Sequence, residues 1–112
     1  MGLVVIESPF AGDVEKNLRY LRAAMRDCLS RNEAPFASHA LYTQPGVLDD
    51  DVPAEREKGI RAGFAWGFRA DRVVFYTDLG WSSGMTKARA YWKGLGLPME
   101  ERALPGWDRT AT

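Results

Sequence analysis

The fold of this chain is decided by the stretch RVVFYT at residues 72–77, which ends at Asp78-Leu79-Gly80. Its density of β-branched and aromatic residues predicts a strand. A shorter apolar run, LVVI at residues 3–6, is ended by Ser8-Pro9. Continuous apolar runs of this length are typical of strands that are buried on both faces of a parallel sheet. We therefore expect the two runs to form central strands.

Two weaker strand candidates complete the pattern. Residues 34–38, APFAS, carry Pro35 near the start, where a missing hydrogen-bond donor is tolerated. Residues 99–104, from Met99 to Leu104, form the last candidate. We expect this last strand at an edge of the sheet.

Three helices are predicted between the strands. Asp13 is placed to cap the first, which runs to about Arg31. Apolar side chains recur along it at steps of three and four, which predicts a buried stripe. The stripe consists of Val14, Leu18, Leu21, Met25 and Cys28.

The second helix is predicted from Pro53 to near Arg69, after a long irregular link over residues 41–51. Its expected buried face consists of Ile60, Phe64 and either Gly67 or Phe68. The acidic run at residues 49–51 is interpreted as solvated and as capping this helix. It is not a calcium loop, because it lacks the alternating spacing and the glycine of that motif.

The third helix is capped by Ser82 or Ser83, presents Met85, Ala88, Trp92 and Leu95 on one face, and closes at Gly94 or Gly96. The resulting order β-α-β-α-β-α-β predicts an α/β fold. Specifically, it predicts a doubly wound, flavodoxin-like or Rossmann-like parallel sheet of four to five strands with helices on both faces. A compact strand order is 2-1-3-4, in which the chain changes winding direction between strands 1 and 3.

The composition limits the kinds of protein that this chain can be. The chain has 112 residues, of which 46% are hydrophobic and 27% charged, so we expect one globular domain over residues 1–104 and a tail over 105–112. Fifteen basic residues balance fifteen acidic ones, which argues against a nucleic-acid polymer or a membrane as partner. The N-terminal apolar run is too short for a signal peptide, so we expect a cytoplasmic protein. One Cys and one His cannot form a closed zinc site, so Cys28 is interpreted as a buried structural thiol, and no metal or cofactor is expected.

Two loops follow the central strands. The first, at residues 8–12, contains Ser8, Pro9, Phe10 and Gly12; the second, at residues 78–85, contains Asp78, Gly80, Ser82, Ser83, Gly84 and Met85. Open α/β sheets bind ligands at the switch point beyond the carboxyl ends of such strands. Glycines, hydroxyls and a helix start there favour a phosphate or a sugar, although the same residues are ordinary turn and capping residues.

The ordered blocks of this chain resemble the nucleoside 2-deoxyribosyltransferase-like superfamily, and most closely its short phage and bacterial branch. The matching blocks are SPF at 8–10, APFASH at 34–39 with LYTQ at 41–44, ERE at 55–57 with GIRAG at 59–63, YTDLG at 76–80 with Ser82, Gly84 and Met85, and GLP at 96–98. The resemblance implies a pocket for a base and a (deoxy)ribose, and the cleavage or transfer of an N-glycosidic bond by a nucleophilic Glu. Ala88 occupies the place of that Glu here.

A carboxylate from elsewhere would have to replace the missing one. The candidates are Asp78 in the second loop, Glu57 near the start of the second helix, and Glu7 at the end of strand 1. Each also has a structural interpretation, as a turn cap, a solvated helix residue or an ion-pair partner respectively. His39 and Tyr42 are further candidates for contact with the ligand, with a structural histidine and a subunit contact as their alternatives.

Two functions remain open from the sequence. The first is an enzyme, either a hydrolase or a deoxyribosyltransferase, that acts on the N-glycosidic bond of a nucleoside or nucleotide. The second is a non-catalytic nucleotide-binding module that serves as a sensor or a sequestering protein. We also expect a homo-oligomer. A domain this small cannot bury Trp107 and all the aromatic side chains of the second helix in its own core, so a second subunit would bury them.

Overall fold

A computed structural model of the protein describes residues 1–107. The elements in chain order are β1 (Gly2–Glu7), α1 (Val14–Ser30), β2 (Glu33–Phe36), α2 (Ser38–Leu41), α3 (Pro53–Gly67), β3 (Arg72–Tyr76), α4 (Ser83–Gly94) and β4 (Met99–Arg102). The predicted tail over 105–112 is described only as far as Trp107, and its last five residues lie outside the described part. Within residues 1–107, no helix is long and apolar enough to cross a membrane.

The four strands form one parallel sheet in the order β2-β1-β3-β4. The α/β doubly wound fold and the strand order 2-1-3-4 predicted from the sequence are therefore confirmed. In the central pair, Glu7 of β1 lies opposite Phe75 of β3. The carboxyl ends of these two strands thus meet at one edge of the sheet, called here the switch edge.

Alternating side chains of the central strands supply two separate cores. Val4 and Ile6 pack with Val74 and Tyr76 against α1 on one face. Val5, Val73 and Phe75 pack against Met85, Ala88 and Trp92 of α4 on the other. Burial on both faces explains why these strands read as continuous apolar runs.

The first helix is capped as predicted, since the Asp13 side chain accepts a hydrogen bond from Lys16 N at 3.2 Å. Cys28 is fully buried, which confirms the buried thiol. The predicted stripe is wrong at Val14, which is exposed. The buried face of the helix is centred instead on Tyr20, Leu21, Ala24 and Cys28.

Three predicted boundaries were wrong. β2 spans Glu33–Phe36 rather than residues 34–38, and β4 ends at Arg102 rather than Leu104. The short helix α2 occupies Ser38–Leu41, where the sequence predicted the end of a strand and the start of a link. One turn of helix has too few residues to produce a periodic pattern, so it was not detectable.

The predicted buried face of α3 was wrong at Ile60, which is 43% exposed, and of the two alternatives at its end Gly67 is buried while Phe68 is 66% exposed. Phe64 packs against the core beside α4, as predicted, and the helix also packs through its glycines. A Cβ at Gly63 would overlap Ser38 of α2, and a Cβ at Gly67 would overlap the indole ring of Trp92. The apolar period was misleading here because close approach of the backbone, rather than side-chain size, sets the contact.

The acidic run ahead of α3 does not cap it by a side chain. The N-cap is Val52, for which no side-chain hydrogen bond is present. Instead, Asp49 Oδ1 accepts from Asp51 N at 2.9 Å, and Glu55 Oε1 accepts from Asp49 N at 3.0 Å. The first bond turns the link on itself and the second joins it to the first turn of α3, so the predicted capping role was wrong.

Candidate functional site

The loops predicted to bind a ligand leave the sheet side by side at the switch edge. The first follows β1 and the second follows β3, and these strands are hydrogen-bonded neighbours. Gly12 and Gly80 have φ angles of 99° and 84°, in the left-handed region that favours glycine. No atom lies within 4 Å of a Cβ built at either position, so backbone conformation rather than crowding requires glycine there.

A cleft of about 750 Å³ opens beside the first loop. Phe10, Gly12 and Val14 line one wall, and residues of the link between α2 and α3 line the other. Among the described residues that line this cleft, none comes from the second loop. The far wall is acidic, with Asp49, Asp50, Asp51 and Glu55. Such a wall disfavours a phosphate and suits donors such as sugar hydroxyls.

His39 lies behind the first loop and fixes its start. Its Nε2 is 2.9 Å from Ser8 Oγ, and its ring meets Phe10 edge-on at a centroid distance of 6.2 Å. Burial lowers the pKa of His39 to about 4, so the ring is neutral near pH 7. His39, Ser8 and Phe10 were all predicted site residues, and the structure brings them together.

Asn17 holds the other half of the first loop, a role that the sequence analysis missed. Its buried side chain donates to the carbonyl oxygens of Phe10 and Ala11, at 2.9 and 3.1 Å. The available signal was a polar residue between the apolar positions of α1. Buried amides of this kind need partners, and here the partners are the loop carbonyls.

Asp78 is held by structural contacts. Its Oδ2 accepts hydrogen bonds from Tyr20 Oη at 2.6 Å and from Leu104 N at 2.8 Å. Its own N–H donates to Tyr20 Oη at 2.8 Å. The side chain therefore joins the second loop to α1 and to the segment after β4.

The second loop ends in a well-formed helix start. Ser82 Oγ accepts from Met85 N at 3.2 Å, which confirms Ser82 as the cap, and Met85 is buried. The first amides of a helix have no intrahelical acceptor, so α4 presents donors and the positive end of its dipole here. Trp81 stacks on Phe75 at 4.9 Å, with the guanidinium of Arg89 at 5.4 Å from the Trp81 ring.

Glu7 is a partly buried carboxylate at the end of β1, on the face that packs against α4. Its Oε2 accepts a hydrogen bond from Trp92 Nε1 at 2.8 Å. Burial raises the pKa of Glu7 to about 7, against the lowering effect of that hydrogen bond. A carboxyl of this kind is protonated in about half of the molecules near neutral pH.

The remaining candidates lie on the helices or beside them. Glu57 is exposed on α3. The Tyr42 hydroxyl accepts from Trp66 Nε1 at 2.8 Å, and Tyr42 lines a small cleft of about 60 Å³ together with His39. Ala88 is buried on α4, one turn before Trp92. Within residues 1–107, no group of three or more His, Cys, Asp or Glu side chains is arranged to hold a metal ion.

Comparison with known proteins gives one family and one shared fold. No curated protein matches the chain. A solved structure of 2-deoxyribosyltransferase from the psychrotolerant bacterium Bacillus psychrosaccharolyticus superposes with a TM-score of 0.70 at 15% identity, covering 95% of this chain and 75% of that one. At this identity the likeness is one of fold. Residues 2–102 match the family model described as "Domain of unknown function (DUF7768)", and the chain therefore belongs to that family.

Proposed function

We propose that this protein binds a nucleoside or nucleotide at the switch edge. The observation that carries the proposal is the pairing of β1 with β3, because both glycine-containing loops leave the sheet there. A solved 2-deoxyribosyltransferase, described as a suitable biocatalyst for the synthesis of nucleosides, has the same fold. Ligands of open α/β sheets bind at this switch point.

The charges of the site suggest how the ligand lies. The acidic wall of the large cleft repels phosphate but accepts hydrogen bonds from sugar hydroxyls. The start of α4 has the opposite polarity. We therefore propose that a base packs near Phe10, the sugar faces the carboxylates, and any phosphate lies at the helix start. In this proposal the contacts come from Ser8, Pro9, Phe10, Gly12, His39, Tyr42, Asp78, Gly80, Ser82, Ser83, Gly84 and Met85.

Cleavage or transfer of the N-glycosidic bond is the second candidate function. Ala88 stands where the resemblance would assign the nucleophilic carboxylate of α4, which is an argument for a function in binding alone. Glu7 favours cleavage, because it supplies a partly buried carboxyl at the same edge. Without such chemistry, the protein would act as a sensor or a sequestering module.

Thermal shift measurements test the binding proposal. The panel consists of purine and pyrimidine ribonucleosides, their 2′-deoxy forms and the corresponding 5′-monophosphates. A ligand at 100 times its Kd stabilises the native state by about 2.7 kcal/mol. For a domain of this size the expected rise in Tm is roughly 10 °C.

Phe10→Ala should reduce this shift, because it removes the aromatic wall of the cleft. Leu29→Ala is the matched control, since Leu29 is 54% exposed in the last turn of α1, far from the switch edge. The proposal fails when no compound of the panel raises Tm at millimolar concentration. It also fails when Phe10→Ala responds to the ligand as strongly as wild type.

We further propose that the protein is a homo-oligomer. Trp66 and Phe68, near the end of α3, are 56% and 66% exposed, and large exposed aromatic side chains are typical of contact surfaces. Light scattering at micromolar concentration tests this, and a mass of one chain at every concentration would contradict it.

A further inference from the structure

We propose that Glu7 is the catalytic acid and base of N-glycosidic bond cleavage at the switch edge. This inference rests on the proposed nucleoside site and adds a reaction and a reacting group to it. Glu7 is the last residue of β1, at the point where the chain changes winding direction. It therefore lies on the rigid sheet rather than on a loop, which favours exact placement of a reacting group.

The surroundings of Glu7 form a mostly apolar wall. Across the sheet it is paired with Phe75, on which Trp81 stacks at 4.9 Å. From α4, Trp92 and Ala88 pack into the same core.

The two oxygens of Glu7 have different environments. Oε2 is fixed by the indole N–H of Trp92 at 2.8 Å. Among the described residues, none donates a hydrogen bond to Oε1, and this atom is not among the fully buried atoms without a partner. One oxygen is thus oriented by the protein, while the other has no protein donor within residues 1–107 and is not fully buried. A positioned proton donor needs this combination.

The other candidate carboxylates differ from Glu7 in position or in exposure. Asp78 lies in the loop two residues after β3, where Tyr20 and Leu104 both hold its Oδ2. Glu57 is exposed on α3. Of the three candidate carboxylates, Glu7 is partly buried, is oriented by a hydrogen bond and lies at the end of a strand.

The protonation state of Glu7 fits transfer of a proton near neutral pH. Its pKa is raised to about 7 by burial, and the sole opposing influence is the Trp92 hydrogen bond. Its cross-strand neighbour Phe75 and its hydrogen-bond partner Trp92 are uncharged. The cation nearest to this wall by a recorded contact is Arg89, which lies over Trp81. A general acid works best with a pKa near the working pH.

The proposed reaction is hydrolysis. The bond between C1′ of the sugar and the ring nitrogen of the base breaks, and its electron pair stays on the base. Glu7 transfers its proton through Oε1 to the departing base. A water oxygen then bonds to C1′ and loses one proton to the Glu7 carboxylate, which restores the acid. The products are the free base and the sugar.

The test measures release of free base from the nucleoside or nucleotide that gives the largest thermal shift. We expect release by wild type and a loss of at least about 100-fold in Glu7→Gln, the usual minimum for removal of a general acid. The Gln carbonyl still accepts the Trp92 hydrogen bond, so the thermal shift should be retained. Glu101→Gln is the matched control, because Glu101 is exposed on β4, and its rate should equal that of wild type.

A pH profile of wild type keeps the test independent of how well the variant folds. Because the acid must carry its proton, kcat/KM should fall above about pH 7. A profile without this fall overturns the inference, as does full activity of Glu7→Gln or loss of activity in Glu57→Gln alone. Binding without any release of base also overturns it but leaves the proposed function intact. A protein that binds no compound of the panel refutes the proposed function itself.

Discussion

Stability as a function of pH gives a direct measure of the unusual environment of Glu7. The pKa of Glu7 is about 7 in the native state and near 4.5 when unfolded. Between these values the native state holds a proton that the unfolded state has lost, so the free energy of unfolding falls as the pH rises. A difference of about 2.5 units corresponds to roughly 3 kcal/mol. Ionisation of Glu7 should therefore lower the free energy of unfolding by this amount between about pH 4.5 and pH 7.

Glu7→Gln removes the titrating group while its carbonyl still accepts from Trp92. The assay is urea unfolding followed by tryptophan fluorescence between pH 4 and pH 8. The stability of Glu7→Gln minus that of wild type should rise by about 3 kcal/mol across this range. The difference is the quantity to use, because His39 titrates with the opposite sign over part of it. Glu101→Gln should show no such change, and parallel curves for Glu7→Gln and wild type would refute the reasoning.

Four other substitutions test the packing and the protonation inferred here. His39 is neutral in the native state down to about pH 4, while the unfolded state gains a proton below about pH 6.5. The neutral His39 should thus lower the free energy of unfolding by about 3 kcal/mol as the pH falls through this range, so in urea unfolding the value for His39→Gln minus that for wild type should rise by that amount. Gly67→Ala would push a methyl group into Trp92, so calorimetry should give a lower Tm and a loss of roughly 2 kcal/mol after the gain in helix propensity. Gly94→Ala is the control, because the space around its Cβ is open, and its Tm should equal or exceed that of wild type. Equal Tm values for Gly67→Ala and Gly94→Ala would contradict the close packing of Gly67 against Trp92. Arg102→Met should cost about 3 kcal/mol in urea unfolding, because it leaves two carboxylate partners without their cation; a loss below about 1 kcal/mol would mean that this network contributes little.

The fold was predictable because its central strands are buried on both faces. LVVI at residues 3–6 and RVVFYT at 72–77 are therefore apolar runs in the sequence. The alternation of strands and helices along the chain is compatible with only a few strand orders. Helix caps at Asp13 and Ser82 were also predictable, since capping depends on residues three positions apart. Each of these features is local in sequence or follows from a general rule of connection.

The packing of α3 and the contacts of the site were not predictable in the same way. In the sequence, Gly67 is only a residue of low helix propensity, and its role becomes clear once Trp92 is known to lie against it. The partner of Glu7 is 85 residues away in sequence, and that of Asp78 is 58 residues away. Such contacts depend on the distance and angle between elements, which periodicity does not encode. Sequence reasoning could therefore name Glu7 and Asp78 as candidates but could not separate their roles.

Acidic side chains on the two faces of the sheet have different partners. On the α1 face, Arg102 forms a two-pronged ion pair with Glu33, at 2.7 and 2.8 Å, and contacts Glu100 at 2.6 Å. The pKa of Glu33 is accordingly lowered, chiefly by its hydrogen bond with Arg102. On the α4 face, Glu7 has a neutral indole as its partner, and its pKa is raised by burial.

This difference bears on function. A carboxylate beside a cation, such as Glu33, stays ionised and stabilises the fold over most of the pH range. A carboxylate beside a neutral donor reduces stability above its unfolded pKa, by the roughly 3 kcal/mol worked out above. Residues that break a local rule at a cost to stability cluster at functional sites. Glu7 lies at the switch edge, where we propose that the ligand binds. This position is the reason to relate its cost in stability to the proposed reaction.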